Sequence, residues 1–338
     1  MERSLESRKG FTLLQLVVTM GIVAVLMAAA VKSYRIARAG AMASMCESKL
    51  KTLAMDLDRY YQDHHCYPTT LEKLYPEYVK TESVLRCPCE ERPGEHTYSD
   101  FYIIRASEDK GNGRLLLSCP FHQDAGKNVA VFFGGAEDDE RGKVCVATLA
   151  GSGNVTVLPY DAERPKDAGS SDASFWNNAI AAAPNMEVGP GDWVRVSSGS
   201  AVLTFKDQSR AEITAPADVM VVDAFRTRNA AGDPFYYSAL RLARGHIFNV
   251  VTHGSKYEVI TPTGTAGAKG TEFEVEYIPE ADTLDRGKWK EPHGKAATYV
   301  AKGVVYFTGR FGTVDVNSGE TAELHGNGKA HKGKGRWL

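Results

Sequence analysis

The chain opens with one long apolar run that carries no charge. From Phe11 to Val31 every residue is uncharged, and Lys32 and Arg35 close the run. About twenty apolar residues in a helix, at about 1.5 Å each, span the ~30 Å hydrocarbon core of a bilayer. Residues 11–35 are therefore predicted to form a transmembrane helix.

The basic residues before this run orient the predicted helix. Arg3, Arg8 and Lys9 precede it, and positive side chains favour the cytoplasmic face of a membrane. A cleavable secretory signal is the alternative, since Ala28–Ala30 could imitate its small-residue cleavage site. We expect a single-pass protein of the inner (cytoplasmic) membrane, with the bulk of the chain in the periplasm or extracellular.

Helical periodicity continues after the membrane run, now with charged residues between the apolar ones. The apolar positions near helical spacing are Ala37, Ala41, Met45, Leu50, Leu53, Leu57 and Tyr60–Tyr61. This pattern predicts a helix that packs one stripe on a small sheet. Pro68 is expected to end the helix, and Thr69 or Thr70 to cap a short helix from Leu71 to Leu74.

Four short apolar segments then predict strands at residues 101–106, 114–120, 128–135 and 143–150.

The junction between the basic head and the apolar run resembles a known leader. Gly10, followed by Phe11-Thr12-Leu13 and the apolar helix, is similar to the class III leader of type IV pilins and type II secretion pseudopilins. The resemblance implies a leader over residues 1–10, cleavage after Gly10 by a prepilin peptidase, and methylation of Phe11. Residues 36–158 would then be a pilin-like domain with a small antiparallel sheet. An ordinary single-pass anchor is the alternative.

Gln15 departs from that family at the fifth position after the implied cleavage site. The family usually has glutamate there, which is thought to neutralise the N-terminal ammonium of a neighbouring subunit during assembly. Glutamine keeps the hydrogen-bonding capacity but not the charge, whose burial in lipid is costly unless it is paired. We therefore expect a specialised subunit that contacts other pilin-like subunits, or one that assembles more weakly.

The cysteines are confined to the first half of the chain. The six residues are Cys46, Cys66, Cys87, Cys89, Cys119 and Cys145. An even number in an exported domain favours disulfides, although six allow fifteen connectivities. A disulfide from Cys87 or Cys89 to Cys119 is the first expectation. A zinc site that includes these thiols and His122 is one open alternative, and free or otherwise paired thiols are the other. Apart from zinc, no cofactor is expected.

The second half changes to short segments of β character. Residues 159–187, polar and rich in Pro, Gly and Ser over 161–175, predict a linker with a short helix from Trp176 to Ala183. Residues 188–325 alternate with period two between Gly, Asp and Pro, which predicts an all-β roll or sandwich. Residues 326–338 are predicted to be a basic, flexible tail.

This β region resembles the FecR domain. Five motifs occur in the family's order: Gly191–Val196, Lys206–Ser209, Leu242–Phe248, a two-part motif at Val259–Pro262 and Gly270–Val275, and Val300–Val305. The resemblance implies an exported β domain that contacts an unknown protein partner. FecR-type regulators carry a substantial cytoplasmic anti-sigma region before a single membrane helix. Because about ten residues precede the helix here, the signalling role is not expected to carry over.

Composition and motifs argue against two functional classes. The net charge of −2 gives no reason to expect nucleic-acid binding. The segment at residues 264–271 lacks the Ser or Thr that follows Gly-Lys in a phosphate loop. His64–His65 beside Cys66 lacks an orienting partner for a nucleophile and base. We therefore expect no enzyme.

Together these features predict an α+β chain with a long N-terminal transmembrane helix, a small pilin sheet and an all-β FecR-like domain. The expected function is a membrane-anchored pilin-like or pseudopilin-like structural subunit that displays the FecR-like domain in a type II secretion or type IV pilus-like system. The alternative is a periplasmic FecR-type sensor or regulatory protein that does not polymerise.

Overall fold

The fold was analysed in a computed structural model. The structure describes residues 13–65, 67–68, 70–88, 98–103, 115–119, 122, 129–132, 146–160, 162, 170–228, 234–280, 294–309, 311–325 and 330–336. Gly10, Phe11 and Cys89 lie outside these ranges. Gln15 lies within the first helix, but its side chain is outside the described part.

The described chain has one long α-helix followed by a largely β region. Helix α1 runs over Leu13–His64, and short 3₁₀ turns follow at Leu71–Leu74, Glu82–Leu85, Tyr98–Phe101 and Ala173–Trp176. The strands are β1 Leu115–Cys119, β2 Val129–Phe132, β3 Ala147–Leu158, β4 Ile180–Ala181, β5 Met186–Val188, β6 Trp193–Thr204, β7 Arg210–Arg228, β8 Pro234–Val250, β9 Lys256–Ile260, β10 Gly264–Ala268, β11 Glu272–Pro279, β12 Gly294–Lys302, β13 Val304–Gly309, β14 Gly312–Asn317, β15 Glu320–Leu324 and β16 Ala330–Lys334. This arrangement confirms the predicted fold class.

The first half of α1 packs against nothing in the described chain. Every residue from 16 to 38 is exposed, and the most apolar 18-residue window has a mean hydropathy of 2.1. The helix contains 52 residues, so its length is about 78 Å at about 1.5 Å per residue. By length and composition it can cross a membrane, which is consistent with a single-pass anchor.

The second half of α1 buries one stripe. The stripe consists of Ala43, Cys46, Leu50, Leu53, Leu57 and Tyr60, each at most 6% exposed. Their spacing of three and four residues places them on one helical face. The prediction that Met45 belongs to the stripe is wrong, because Met45 is 53% exposed and Cys46 is fully buried.

The stripe covers a small domain built around the antiparallel pair β1 and β2. Leu117 pairs with Val131 and Cys119 with Val129, and Tyr102 forms an isolated bridge to Leu117. The domain's other buried apolar residues, which join the same core as the stripe, include Tyr67, Leu71, Leu74, Val79, Leu85 and Tyr98. A strand is predicted at residues 101–106. In the described residues of this range, Phe101 ends a 3₁₀ turn and Tyr102 forms the isolated bridge.

The large β domain is organised around the long strands β7 and β8. Its sheet has the order β14-β13-β10-β9-β8-β11-β12-β15-β16, and β3, β6 and β7 join it through β8. Strand β8 is antiparallel to β7 and β11 and parallel to β9. It shifts register near Gly245, whose φ is +98°. A side chain there would collide with the backbone of Pro216 and Ala217, so glycine is required at this bulge.

Three segments differ from the sequence-based assignment. Strand β3, assigned to the preceding domain, pairs along its full length with β6. The helix predicted from Trp176 to Ala183 is wrong, because Ile180–Ala181 form strand β4 beside β3. Residues 326–338 are predicted to be a flexible tail, but the described part of this range contains β16, which is antiparallel to β15. Lys332 in β16 forms an ion pair of 2.7 Å with Glu320, which adds to the backbone pairing.

We expect Leu53→Ala to loosen the packing of α1 on the small domain. Leu53 is fully buried, and a buried Leu→Ala change costs about 2–5 kcal/mol. Amide exchange in α1 between residues 46 and 60 should therefore accelerate by at least about tenfold for the detergent-solubilised chain. Met55→Ala, on the exposed face, is the matched control and should change little. Equal protection in both variants would contradict the assigned stripe.

Candidate functional site

Three cysteines and a histidine meet beneath α1, and we call them the Cys–His cluster. It consists of Cys46, Cys87, Cys119 and His122, whose sulfur and ring-nitrogen atoms all lie within 4.8 Å of one another. The distance from Cys87 Sγ to His122 Nε2 is 3.2 Å. None of the four side chains is more than 5% exposed.

Three separate pieces of the chain deliver these side chains. Cys46 belongs to the buried stripe of α1, and Cys87 follows the 3₁₀ turn at Glu82–Leu85. Cys119 ends β1, and His122 lies three residues later. The cluster therefore joins the helix, the turn region and the sheet of the small domain at one buried point.

The thiols of the cluster differ in acidity. Hydrogen bonds from Cys119 and then Cys87 lower the pKa of Cys46 to about 4. Burial raises the pKa of Cys119 well above its ordinary value. Burial also raises the pKa of Tyr98, and its hydroxyl oxygen lies within hydrogen-bond distance of Cys46 Sγ, at 3.0 Å. The lowered pKa favours the thiolate form of Cys46, and thiolate is the form that binds metals.

The structure brings together three of the four residues singled out from the sequence. Cys87, Cys119 and His122 meet as that grouping predicted, whereas Cys89 lies outside the described residues. The expected disulfide runs from Cys87 or Cys89 to Cys119. No disulfide joins Cys46, Cys87 and Cys119 in the structure, and Cys89 lies outside the described residues. The zinc site named as an alternative stays a prediction.

Cys46 is a member of the cluster that the sequence pattern did not predict. The predicted stripe continues from Leu50 toward the N-terminus at Met45, five residues earlier. Helical spacing of four and then three residues instead leads from Leu50 to Cys46 and Ala43. These are the positions that the structure buries. A cysteine in register with a leucine stripe was therefore the available signal.

Beside the cluster lies a short connecting segment, Tyr98–Ile103, that reaches both domains. Tyr98 contacts Cys46, and Ser99 Oγ accepts a hydrogen bond of 2.9 Å from the backbone N–H of Leu71. On the other side, Phe101 and Ile103 are fully buried in an aromatic core of the large β domain. That core also contains Phe175, Trp176, Trp193, Phe225 and Tyr237. The segment therefore packs the small domain directly on the β domain.

Arg241 of β8 reinforces this contact. Its guanidinium donates to the carbonyl oxygens of Ser99 and Tyr102, each over 3.0 Å. A planar, always charged donor suits two carbonyl oxygens from one turn. Arg241 thus fastens the connecting segment to the middle of the largest sheet.

The residues of the first FecR-like motif have local structural roles. Asp192 accepts hydrogen bonds of 2.8 Å from the backbone N–H groups of Tyr160 and Gly189. Gly191 has φ +91° and donates to the carbonyl oxygen of Val221 over 2.7 Å. The Gly-Asp pair therefore closes the turn that leads into β6.

Comparison with known proteins gives a family for the β domain. Residues 192–308 match the family model described as FecR protein. This range contains most of the motif-bearing strands, and the resemblance inferred from the sequence is confirmed for it. No curated protein matches the chain.

Similar solved structures are remote. Two crystal structures of a candidate anti-sigma factor from Parabacteroides distasonis ATCC 8503 share 15% identity with this chain. The matches cover 42% and 44% of this chain, with TM-scores of 0.30 and 0.28. The matched part spans 58% of each of those chains. At this level the likeness says nothing about the partners of the present chain.

We expect Arg241→Met to free the connecting segment from the β domain. The change removes two charge-assisted hydrogen bonds, for a cost on the order of 2 kcal/mol, while keeping an unbranched side chain. Amide exchange at residues 98–103 should accelerate, with the interior of the β sheet unchanged. Arg210→Met, an exposed position on the neighbouring strand β7, is the control. Unchanged exchange in the segment would show that Arg241 does not fasten it.

Proposed function

We propose that this chain is a non-enzymatic, single-pass membrane protein that uses its FecR domain as a regulatory binding module outside the cytoplasm. The observation that carries the proposal is the FecR match at residues 192–308 on a chain whose first helix can cross a membrane. The N-terminus lies in the cytoplasm of a bacterial inner membrane, and the β domain lies in the periplasm. Its partner is a protein.

The contacts between the parts suit such a role. The membrane half of α1 continues into the buried stripe as a single helix. The stripe holds the small domain, and Arg241 and the connecting segment join that domain to β8. A partner that binds the β domain therefore acts on the membrane helix through these contacts. It can shift a balance between two positions of the β domain only by binding one of them more tightly than the other.

A topology and expression experiment in the native cell tests this proposal. Alkaline phosphatase fused after Leu338 should be active, because that enzyme folds only outside the cytoplasm. Deletion of the gene should alter a defined set of transcripts, and a chain carrying Gly267→Val should reproduce the change. Any side chain at Gly267, a buried position of β10, collides with the ring of Tyr306, so this variant disrupts the FecR domain.

Gly40→Val is the matched control for that experiment. A side chain at Gly40 has nothing within 4 Å, so this variant should restore normal transcripts at equal membrane abundance. Unaltered transcripts in both the deletion strain and the Gly267→Val strain would refute the regulatory role. An inactive phosphatase fusion would refute the orientation.

A second candidate function, a pilin-like or pseudopilin-like subunit, is favoured by the shape of α1. Its first half is exposed on all sides, and its second half covers a small antiparallel sheet with one stripe. This division suits a helix that packs among membrane helices in an assembly while its other half carries a domain. In this reading a prepilin peptidase cleaves between Gly10 and Phe11, and the FecR domain is displayed outside the helical core.

Intact-mass analysis of the membrane-extracted chain tests the second candidate. We expect a mature N-terminus at methylated Phe11, and Gly10→Val should leave the leader in place. If the missing carboxylate limits assembly, Gln15→Glu should raise the fraction of chain recovered in sheared filaments, since glutamate can pair with an N-terminal ammonium. Gln15→Ala is the control. An intact leader in the unaltered chain would eliminate this candidate and leave the regulatory proposal standing.

A further inference from the structure

We propose that the Cys–His cluster binds one zinc ion and that this ion fastens α1 to the small domain. The ligands are the sulfur atoms of Cys46, Cys87 and Cys119 and a ring nitrogen of His122. Three cysteines and one histidine form an established donor set for structural zinc. The assignment is independent of the function proposed for the FecR domain.

The spacing of the donor atoms suits a tetrahedral ion. Zinc–sulfur bonds of about 2.3 Å separate two sulfur ligands by about 3.8 Å in a tetrahedron. The four donor atoms already lie within 4.8 Å of one another, so shifts of about an ångström or less bring them to that spacing. A disulfide requires about 2.05 Å between two sulfurs and would leave the third thiol and the imidazole buried beside it. A single zinc ion engages all four.

The charge around the cluster supports the same ion. Three thiolates, a neutral imidazole and Zn²⁺ sum to a net charge of −1, which needs a cation nearby when it is buried. Lys49 lies about one turn after Cys46 in α1. Its ammonium donates to the carbonyl oxygens of Ser83 over 2.7 Å and Arg86 over 3.1 Å. The same lysine therefore offsets the charge and holds the segment that carries Cys87.

Tyr98 supplies an outer contact to the site. Its hydroxyl oxygen lies 3.0 Å from the sulfur of Cys46, so it can donate a hydrogen bond to a metal-bound thiolate. Hydrogen bonds to ligand atoms orient them, and removal of such a partner typically lowers metal affinity by about 10–100-fold. Because Tyr98 begins the connecting segment, the ion is one contact away from the residues that Arg241 binds.

The site is structural rather than catalytic. A catalytic zinc keeps one position open for water or substrate, whereas a structural zinc has four protein ligands. The Cys87–His122 pair has the spacing of a nucleophile and its base, but both side chains are at most 5% exposed. Burial of this kind leaves no room for a substrate to approach the sulfur.

Zinc would add folding stability that the small domain otherwise lacks. The described part of its sheet has only two strands, and a two-stranded sheet is marginal without further support. The ligands come from residues as far apart as 46 and 122. Binding free energy at such a site contributes directly to folding free energy. The metal therefore ties the membrane helix to the domain at its core.

Metal analysis of the full chain, purified in detergent without chelator, tests the proposal. We expect about one zinc per chain by plasma mass spectrometry. Cys46→Ser and His122→Asn should each lose it, whereas His64→Asn, at the exposed end of α1, should keep it. Tyr98→Phe should keep the ion with at least about tenfold weaker affinity in a chelator competition.

A second measurement covers variants that fail to fold. The unaltered chain, stripped of metal under reducing conditions and reloaded with Co²⁺, should show the visible absorption of tetrahedral, thiolate-bound cobalt, and zinc should abolish it. Absence of zinc together with a mapped Cys87–Cys119 disulfide would overturn the proposal. So would rapid alkylation of Cys87 in the native chain, because a ligand inside a closed site is protected. A stoichiometric metal other than zinc would overturn the identity of the ion.

Discussion

The architecture depends on one buried stripe of a single helix. Ala43, Cys46, Leu50, Leu53 and Leu57 are at most 1% exposed, and they carry the contact between the membrane-competent half of the chain and everything that follows it. In its described residues the small domain has a two-stranded sheet, and the stripe supplies a large part of its core. Desolvation of these side chains favours the contact in proportion to the apolar area removed from water.

From that stripe a continuous series of contacts reaches the β domain. Cys46 and Tyr98 share a hydrogen bond, and the connecting segment that Tyr98 begins buries Phe101 and Ile103 among the aromatic residues of the second domain. Arg241 closes the series with two hydrogen bonds. Each link uses a different interaction, so the domains are held by packing, by hydrogen bonds and, in our proposal, by a metal.

Sequence patterns predicted the parts of the structure that depend on local periodicity. The apolar run, the amphipathic continuation of α1 and the period-two strands all follow from spacing along the chain. Pairing between distant segments does not follow from spacing. Strand β3 lies far from β6 in sequence, and Ala330–Lys334 has a composition typical of a tail but pairs with the edge of β15. The Cys–His cluster is an intermediate case. Cys119 and His122 are close in sequence, but Cys46 joins them only through the register of α1. The predicted stripe contains Met45, one residue earlier, in its place.

Because α1 is uninterrupted, it also fixes the direction in which the small domain faces around the helix axis. Successive residues of an α-helix are rotated by about 100° and raised by about 1.5 Å, so the number of residues between Val31 and Ala43 sets the direction in which the small domain faces around α1 and its distance from the apolar half. One inserted residue would turn the small domain about the helix axis by more than a quarter of a circle relative to the apolar half. That direction is therefore set by the number of residues in the helix, which no substitution alters unless it breaks the helix.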